Sequence, residues 1–314
     1  MKQNNWVGVD THKNTIACYK NGKFKEFPTT KTGFKKALQW ADNSKWAIEG
    51  AYCFGKPFAA YLIQNGCEVY EVNTLLTKTW RKIYAISNAK TDFGDAKVIS
   101  LFADNAKLQK VSLETVELKE KLTARKLLVK QRTDIICSIK MLFNTRGLEL
   151  PYKDLTTLKA AKWLAKQEDT IIRNFASILN ALNASIKEFE REIEGLLPEK
   201  AQKLTQFKGI KTITAATIYT ETKGKLISAK ALASYSGVAP VDNSSGKRLK
   251  HRNNKTGNRI LNSVFYQLAL HQSRWDEKGK AYYERKLQEG KSPRHARKCL
   301  SRQLINIIWK ILNE

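Results

Sequence analysis

The stretch WVGVDTHKNTIACYKNGKF, Trp6 to Phe24, decides the fold. It contains two short apolar runs, "WVGVD" (6–10) and "TIACYK" (15–20), and leads into a third β-like run, "KFKEFP" (23–28), all within hairpin distance of each other. Three neighbouring strands are expected. Downstream come a helix in "GFKKALQWADN" (33–43), a strand in "KWAIEG" (45–50), a helix in "KPFAAYLIQNG" (56–66), a strand in "CEVYEVN" (67–73) and a helix from about Asp92 to Asn105. The order βββαβαβα, meander first and crossovers after, predicts a mixed sheet flanked by helices.

Asp10 ends the first run, a carboxylate emerging where a buried strand stops. Glu49 does the same at the end of "WAIE", at the carboxyl edge where α/β sites tend to lie. Asp92 and Asp95, in "KTDFGDAKVIS", are three apart and share one helix face. Taken singly, each has an ordinary structural use: a turn cap, or acids favoured by the helix dipole in a first turn. Together, held within about 4–6 Å, these like charges would raise each other's pKa and destabilise the fold unless divalent cations offset them. Oxygen-only ligands point to Mg²⁺ or Mn²⁺, and a pair of such ions about 3.5–4 Å apart clamps the entering and leaving oxygens of a phosphodiester. The chemistry indicated is phosphoryl transfer on nucleic acid.

The bulk charge agrees. Among 314 residues, 56 lysines and arginines stand against 29 acidic residues, a formal net charge of +27 that calls for a polyanionic partner, DNA or RNA first. No apolar run approaches the roughly 18 residues of a membrane span, and "MKQNNWVGVD" lacks the apolar core of a signal peptide, so a cytoplasmic protein is expected, nucleoid-associated when bound to DNA. Cys18, Cys53, Cys67, Cys137 and Cys299 form no CxxC pair, and the four histidines have no metal-ligand spacing beside them. That argues against a zinc site or a disulfide framework, and reduced, mostly buried thiols are expected.

From about 106 to 197 the pattern is helical, with no convincing strand. A first helix, about 114–146, carries Leu118, Leu122, Leu128, Ile135, Ile139 and Leu142, and "GLELPYKD" (147–154) breaks it. In the second, Ile171, Phe175, Ile178, Leu182, Ile186, Phe189, Ile193 and Leu196 recur in steps of three and four, a heptad seam with one stutter. An antiparallel helical pair and an intermolecular coiled coil both fit, as do two ordinary core-facing helices.

Pro198 opens a region of small helical elements. "LTQFKGIKTITAATIYTET" (204–222) sets Gly209 between two apolar helices, the form of a helix-hairpin-helix whose turn offers N–H groups to a phosphate. Further helices are expected in "SAKALASYSGVAP" (228–240), "GNRILNSVFYQLALHQS" (257–273, with Asn258 as cap) and "SPRHARKCLSRQLINIIWKIL" (292–312). Between Asp242 and Asp276 no acid occurs, while Lys247, Arg248, Lys250, Arg252, Lys255, Arg259 and Arg274 supply seven positive charges. Such a basic loop positions phosphates without reading sequence. Within it, Ser244 and Ser245 precede Gly246. A hydroxyl beside a glycine permits close backbone approach, and neighbouring cations would stabilise an alkoxide, although NSSG is also a common turn sequence. His251 is either a proton carrier or another phosphate contact.

Five motifs in order, "VGVDTHK", "AIEGAYCFGKPFAAYL", "KTDFGDAKVIS", "FKGIKTITAATI" and "ASYSGVAPVDNSSGKRLKHRNNKTGNRILNSVFYQLA", make the chain resemble the DEDD insertion-sequence transposases, which include the Piv pilin-gene invertase and the bridge-RNA-guided recombinases. The resemblance covers almost the whole chain. It implies an α/β plus all-α architecture: an RNase H-like (RuvC-like) metal-binding domain at 1–105, a helical coiled-coil dimerisation region at 106–197, and a helical transposase domain with the serine loop at 198–314. It implies Mg²⁺ on Asp10, Glu49, Asp92 and Asp95, and Ser245 as the nucleophile, with Ser244 as a possible substitute. It also implies donor and target DNA, a structured guide RNA, a homodimer or homotetramer, and an active site shared between protomers. The function expected is therefore a transposase acting as a site-specific recombinase through a serine–DNA ester. Two rivals are a RuvC-like junction endonuclease that uses metal-activated water, and a non-catalytic basic nucleic-acid-binding protein.

Overall fold

The computed structural model describes residues 5–41, 44–72, 74–84, 91–106, 108–222, 228–242, 251–253 and 257–313. They form two compact units, Met1–Glu117 and Leu118–Glu314.

The first unit is built on a six-stranded sheet in the order β3-β2-β1-β4-β5-β6. Strands β1 (Trp6–Thr11), β2 (Thr15–Lys20) and β3 (Lys23–Pro28) make the antiparallel meander, closed by a tight turn with Asn21 and Gly22 at positive φ. Helix α1 (Lys31–Ala41) then crosses over to β4 (Lys45–Glu49), and α2 (Lys56–Gln64) crosses to β5 (Val69–Val72), so β4 and β5 run parallel to β1. This strand order, with helices on both faces, is the expected RNase H-like sheet. Two elements were not anticipated. Helix α3 (Thr74–Tyr84) follows β5, and a two-residue edge strand, β6 (Gln109–Lys110), pairs antiparallel with β5 in a region expected to be wholly helical. Helix α4 spans Asp92–Asn105, the predicted bounds, with the Thr91 hydroxyl accepting from Gly94 N at 3.1 Å as its cap.

Alternation along β1 and β4 sorts the two faces of the sheet. Val7, Val9, Trp46 and Ile48 join Phe34 of α1 and Phe58 and Leu62 of α2 in one core. On the other face Ala47 packs with Ile99, Phe102 and Ala103 of α4. There Gly8 carries no side chain, and a Cβ built on it would lie 2.2 Å from Ala96 O and 2.4 Å from Ser100 N. Helix α4 therefore rests on the backbone of β1, a contact closed by the Ser100 hydroxyl donating to Trp6 O at 3.0 Å.

In the second unit, α5 (Leu113–Thr145), most of which lies there, runs antiparallel to α7 (Thr170–Gly195), with α6 (Leu158–Ala165) between them in sequence. The direction follows from the cross-pairs Lys121–Glu192 at 2.7 Å, Arg125–Glu190 at 2.5 Å and Arg132–Asn183 at 3.2 Å, in which one number rises as the other falls. The seam keeps to the expected residues in its second half, where Ile186 and Ile193 are buried, but is phased differently at its start: Ile172, Ala176 and Leu179 are buried, whereas Ile171 and Ile178 are exposed. Ile139, Phe143, Leu155 and Leu164 close a small core with the start of α7.

A larger core is formed by α8 (Glu199–Thr205), α9 (Thr212–Thr222), α10 (Ala229–Tyr235), α11 (Arg259–Trp275), α12 (Glu277–Gln288) and α13 (Pro293–Asn313), centred on Ile218, Leu232, Leu261, Phe265, Ile305 and Ile308. Gly209 lies between α8 and α9, as expected, and its φ of +95° is a backbone conformation that favours glycine. Strands β7 (Pro240–Asp242) and β8 (His251–Asn253) pair as an antiparallel ribbon. Of the free cysteines only Cys18 is buried, and Cys53 and Cys137 are exposed, so the expectation of mostly buried thiols is not met. Among the described residues no helix is long and apolar enough to cross a membrane.

Candidate metal centre

The last parallel pair between β1 and β4 is Val9 with Ile48, so Asp10 and Glu49 come next in step and point to the same side of the sheet. It is the side of Gly8, under α4. The Thr11 hydroxyl donates to Glu49 O at 3.0 Å and ties the two strand ends together. The first turn of α4 brings Asp92 and Asp95 to the same place: Asp95 is buried, and Asp92 is half exposed at the rim.

The sequence reading missed three residues at this site. His12 stands two beyond Asp10, and its Nε2 lies 3.4 Å from Asp10 Oδ2 and 3.2 Å from Asp92 Oδ1. Its signal was present in "VGVDTHK", where the two-residue spacing places it on the side of Asp10. Arg81 comes from α3, and its Nη2 lies 2.5 Å from Asp95 Oδ1. Thr77, one turn before Arg81, hydrogen-bonds Glu49. Burial first, then the charges of Asp10 and Asp95, pushes the Glu49 carboxyl above the usual carboxylate range, while Arg81 and Thr77 pull the other way. Glu49 is thus within electrostatic reach of Asp10, Asp95 and Arg81. All four predicted acids meet at one end of the sheet.

The donor set suits a divalent ion. One ligand atom each from Asp10, His12 and Asp92 lie within 4.8 Å of one another, and donors around a small ion at about 2.1 Å stand up to about 4 Å apart, so a small inward movement closes the site.

The basic loop is only partly within the described residues. Ser244, Ser245, Lys247, Arg248, Lys250 and Lys255 lie outside them, as do the side chains of His251 and Arg252, whose backbone forms β8. Arg259 is the exposed first residue of α11. The segment's ends are held together: a Cβ on Gly257 would lie 2.4 Å from Gly237 N, leaving room only for glycine. Asn258 caps α11 as predicted, its Oδ1 accepting from Ile260 N at 2.9 Å and Leu261 N at 3.0 Å, while its Nδ2 donates to Glu221 at 2.5 Å and to Tyr235 at 3.2 Å.

An RNase H-like sheet carrying an acidic cluster at the ends of β1 and β4, followed by a helical unit, defines an architecture rather than an activity. Two family descriptions narrow it: a DEDD transposase family of the IS110 type matches residues 7–145, and "Transposase IS116/IS110/IS902 family" matches residues 201–284. The chain belongs to the DEDD insertion-sequence transposases. Similar curated proteins include an uncharacterized 43.6 kDa protein of insertion element IS110 from Streptomyces coelicolor, 30% identical over 152 residues, 46% of this chain and 37% of that protein. A 42 kDa protein of insertion element IS900 from Mycobacterium paratuberculosis is 30% identical over 153 residues, 46% of this chain and 38% of that protein. The match thus spans under two-fifths of each relative. Among solved structures, Thermus thermophilus RuvC aligns with 34% of this chain and 99% of its own, at 12% identity and a TM-score of 0.24.

Proposed function

We propose that this protein is a DNA transposase acting as a site-specific recombinase, with Asp10, Glu49, Asp92 and Asp95 as its metal ligands. The observation that carries the reading is the meeting of these four acids, from β1, β4 and α4, at one sheet end beside His12. Carboxylates favour Mg²⁺ or Mn²⁺, and the imidazole adds a nitrogen donor that makes Mn²⁺ a good substitute. A divalent ion bound there would polarise the scissile phosphate and stabilise the leaving oxygen.

The protein's own groups do the rest. The Ser245 hydroxyl gives up its proton to solvent and attacks phosphorus, forming a serine–phosphate ester as the bond to the departing DNA oxygen breaks; that oxygen takes up a proton from solvent to become a free DNA hydroxyl. The ester retains the bond energy, so attack by another DNA hydroxyl rejoins strands without ATP. Lys247, Arg248, Lys250, Arg252, Lys255 and Arg259 hold the phosphates and offset the developing charge. The net charge of +27 supports a polyanionic partner, and family resemblance supports two DNA duplexes and a structured guide RNA as that partner. Family resemblance supports the three-part functional division at 105 and 197, a homodimer or homotetramer, and a shared active site, with the helical region of α5 and α7 as the dimerising part.

The test uses DNA carrying the junctions that flank the chain's own coding sequence, with co-purified RNA retained. Wild-type protein is expected to form a metal-dependent covalent protein–DNA adduct. Asp10→Asn should abolish it with little loss of DNA affinity, since removing a negative charge does not weaken polyanion binding. Ser245→Ala should lose the adduct and retain binding. Strand cleavage unaltered by Ser245→Ala would replace the ester mechanism with metal-dependent hydrolysis, and cleavage unaltered by Asp10→Asn would refute the metal site.

A further inference from the structure

The acids divide into an open half and a closed half. Asp10 and Asp92 face His12, with Asp92 45% exposed at its side chain. Asp95 and Glu49 face α3, where the Arg81 guanidinium sits 2.5 Å from the Asp95 carboxylate and lowers the proton affinity of Glu49. Asp95 has a side chain only 3% exposed, so its charge requires a cation close by. A guanidinium supplies one positive charge where a divalent ion would supply two.

Taking the four acids as the metal ligands, as above, we propose that Arg81 occupies the position of a second cation. The DNA-free protein then takes up one divalent ion, at Asp10, His12 and Asp92, and a second only when a DNA phosphate draws Arg81 away from Asp95. Arginine suits this exchange because its planar fork pairs equally well with a carboxylate and with a phosphate oxygen. Thr77 and Arg81 are one helical turn apart, so α3 holds both residues of the closed half from a single face. Completion of the site would thus be tied to the presence of substrate, and the protein without DNA would be held short of the two-ion arrangement.

The test counts Mn²⁺ on the full-length protein by calorimetric titration and by loss of the free-ion paramagnetic resonance signal. Wild type is expected to bind one ion tightly without DNA and two with a DNA duplex present. Arg81→Met should bind two without DNA, or one ion at least ten-fold more tightly. Arg81→Lys, which keeps the charge, should stay at one, and circular dichroism checks that each variant is folded. Two ions of equal affinity on DNA-free wild type overturn the proposal, as does a stoichiometry that neither DNA nor Arg81→Met changes. Should Arg81→Met fail to fold, the wild-type titrations with and without DNA decide alone. Asp10→Asn separates the layers: if wild type and Asp10→Asn bind Mn²⁺ alike, the metal site itself fails; if Asp10→Asn loses the ion while DNA and Arg81→Met change nothing, only the role of Arg81 fails.

Discussion

Gly8→Ala tests how the site is held together. The added Cβ would stand 2.2 Å from Ala96 O and 2.4 Å from Ser100 N, both backbone atoms of α4, where ordinary contact begins at 3.4 Å. No rotamer relieves this, so the helix must retreat by about 1 Å or the strand must bend, and overpacking of this kind costs about 3 kcal/mol. That is roughly two orders of magnitude in the folding equilibrium and about 10 °C in the melting temperature of the first unit. A retreat of α4 also carries Asp92 and Asp95 away from Asp10 and Glu49, so Mn²⁺ affinity should fall at least ten-fold in whatever fraction remains folded. Calorimetric melting and Mn²⁺ titration measure the two effects, with Gly195→Ala as control because a Cβ there meets nothing within 4 Å. A Gly8→Ala protein that melts within about 2 °C of wild type and binds Mn²⁺ normally would refute the claim that close packing of α4 on β1 positions the acids.

Other outcomes follow from the same geometry. Glu49 has its proton affinity raised in the folded chain, so the native state binds the proton more tightly than the unfolded state, and metal-free stability falls as pH rises from the ordinary glutamate value through the raised one. Glu49→Gln should flatten that decline and raise the melting temperature at pH 7 in EDTA; an unchanged or steeper decline would contradict the crowding of Glu49 by Asp10 and Asp95. Asn258→Ala removes the α11 cap and a partner of the buried Glu221, and should cost about 1–2 kcal/mol in chemical denaturation. A loss below about 0.3 kcal/mol would deny the cap its role. DNA affinity should fall steeply with salt, and neutralising Arg259 should reduce the slope of log affinity against log salt by about one, whereas an unchanged slope would remove it from the phosphate contacts.

What could be read from the sequence followed from local rules. The meander, both crossovers, α4 and the Asn258 cap each rest on alternation, helical periodicity or a capping residue within a few positions. The acids could be placed at strand ends and on one helix turn, and register then brought them together. Helix α3 escaped because nothing local showed that Thr77 and Arg81 would be needed opposite Glu49 and Asp95; that need comes from residues distant in the chain. The α7 seam was read on the most apolar stripe, whereas burial follows the neighbouring elements, so Ile171 and Ile178 were left outside. His12 was legible and was passed over because no metal-ligand spacing among the histidines themselves drew attention to it.

The proposal stands or falls on divalent metal at the acids of the sheet end, the first ion on Asp10 and Asp92 beside His12. Crystals grown with Mn²⁺ test it through anomalous scattering at the manganese edge. A peak bonded to carboxylate oxygens of Asp10 and Asp92, with His12 beside it, is the expected result. Ordered density for these side chains without a peak, or a manganese site held only by residues elsewhere, would contradict it.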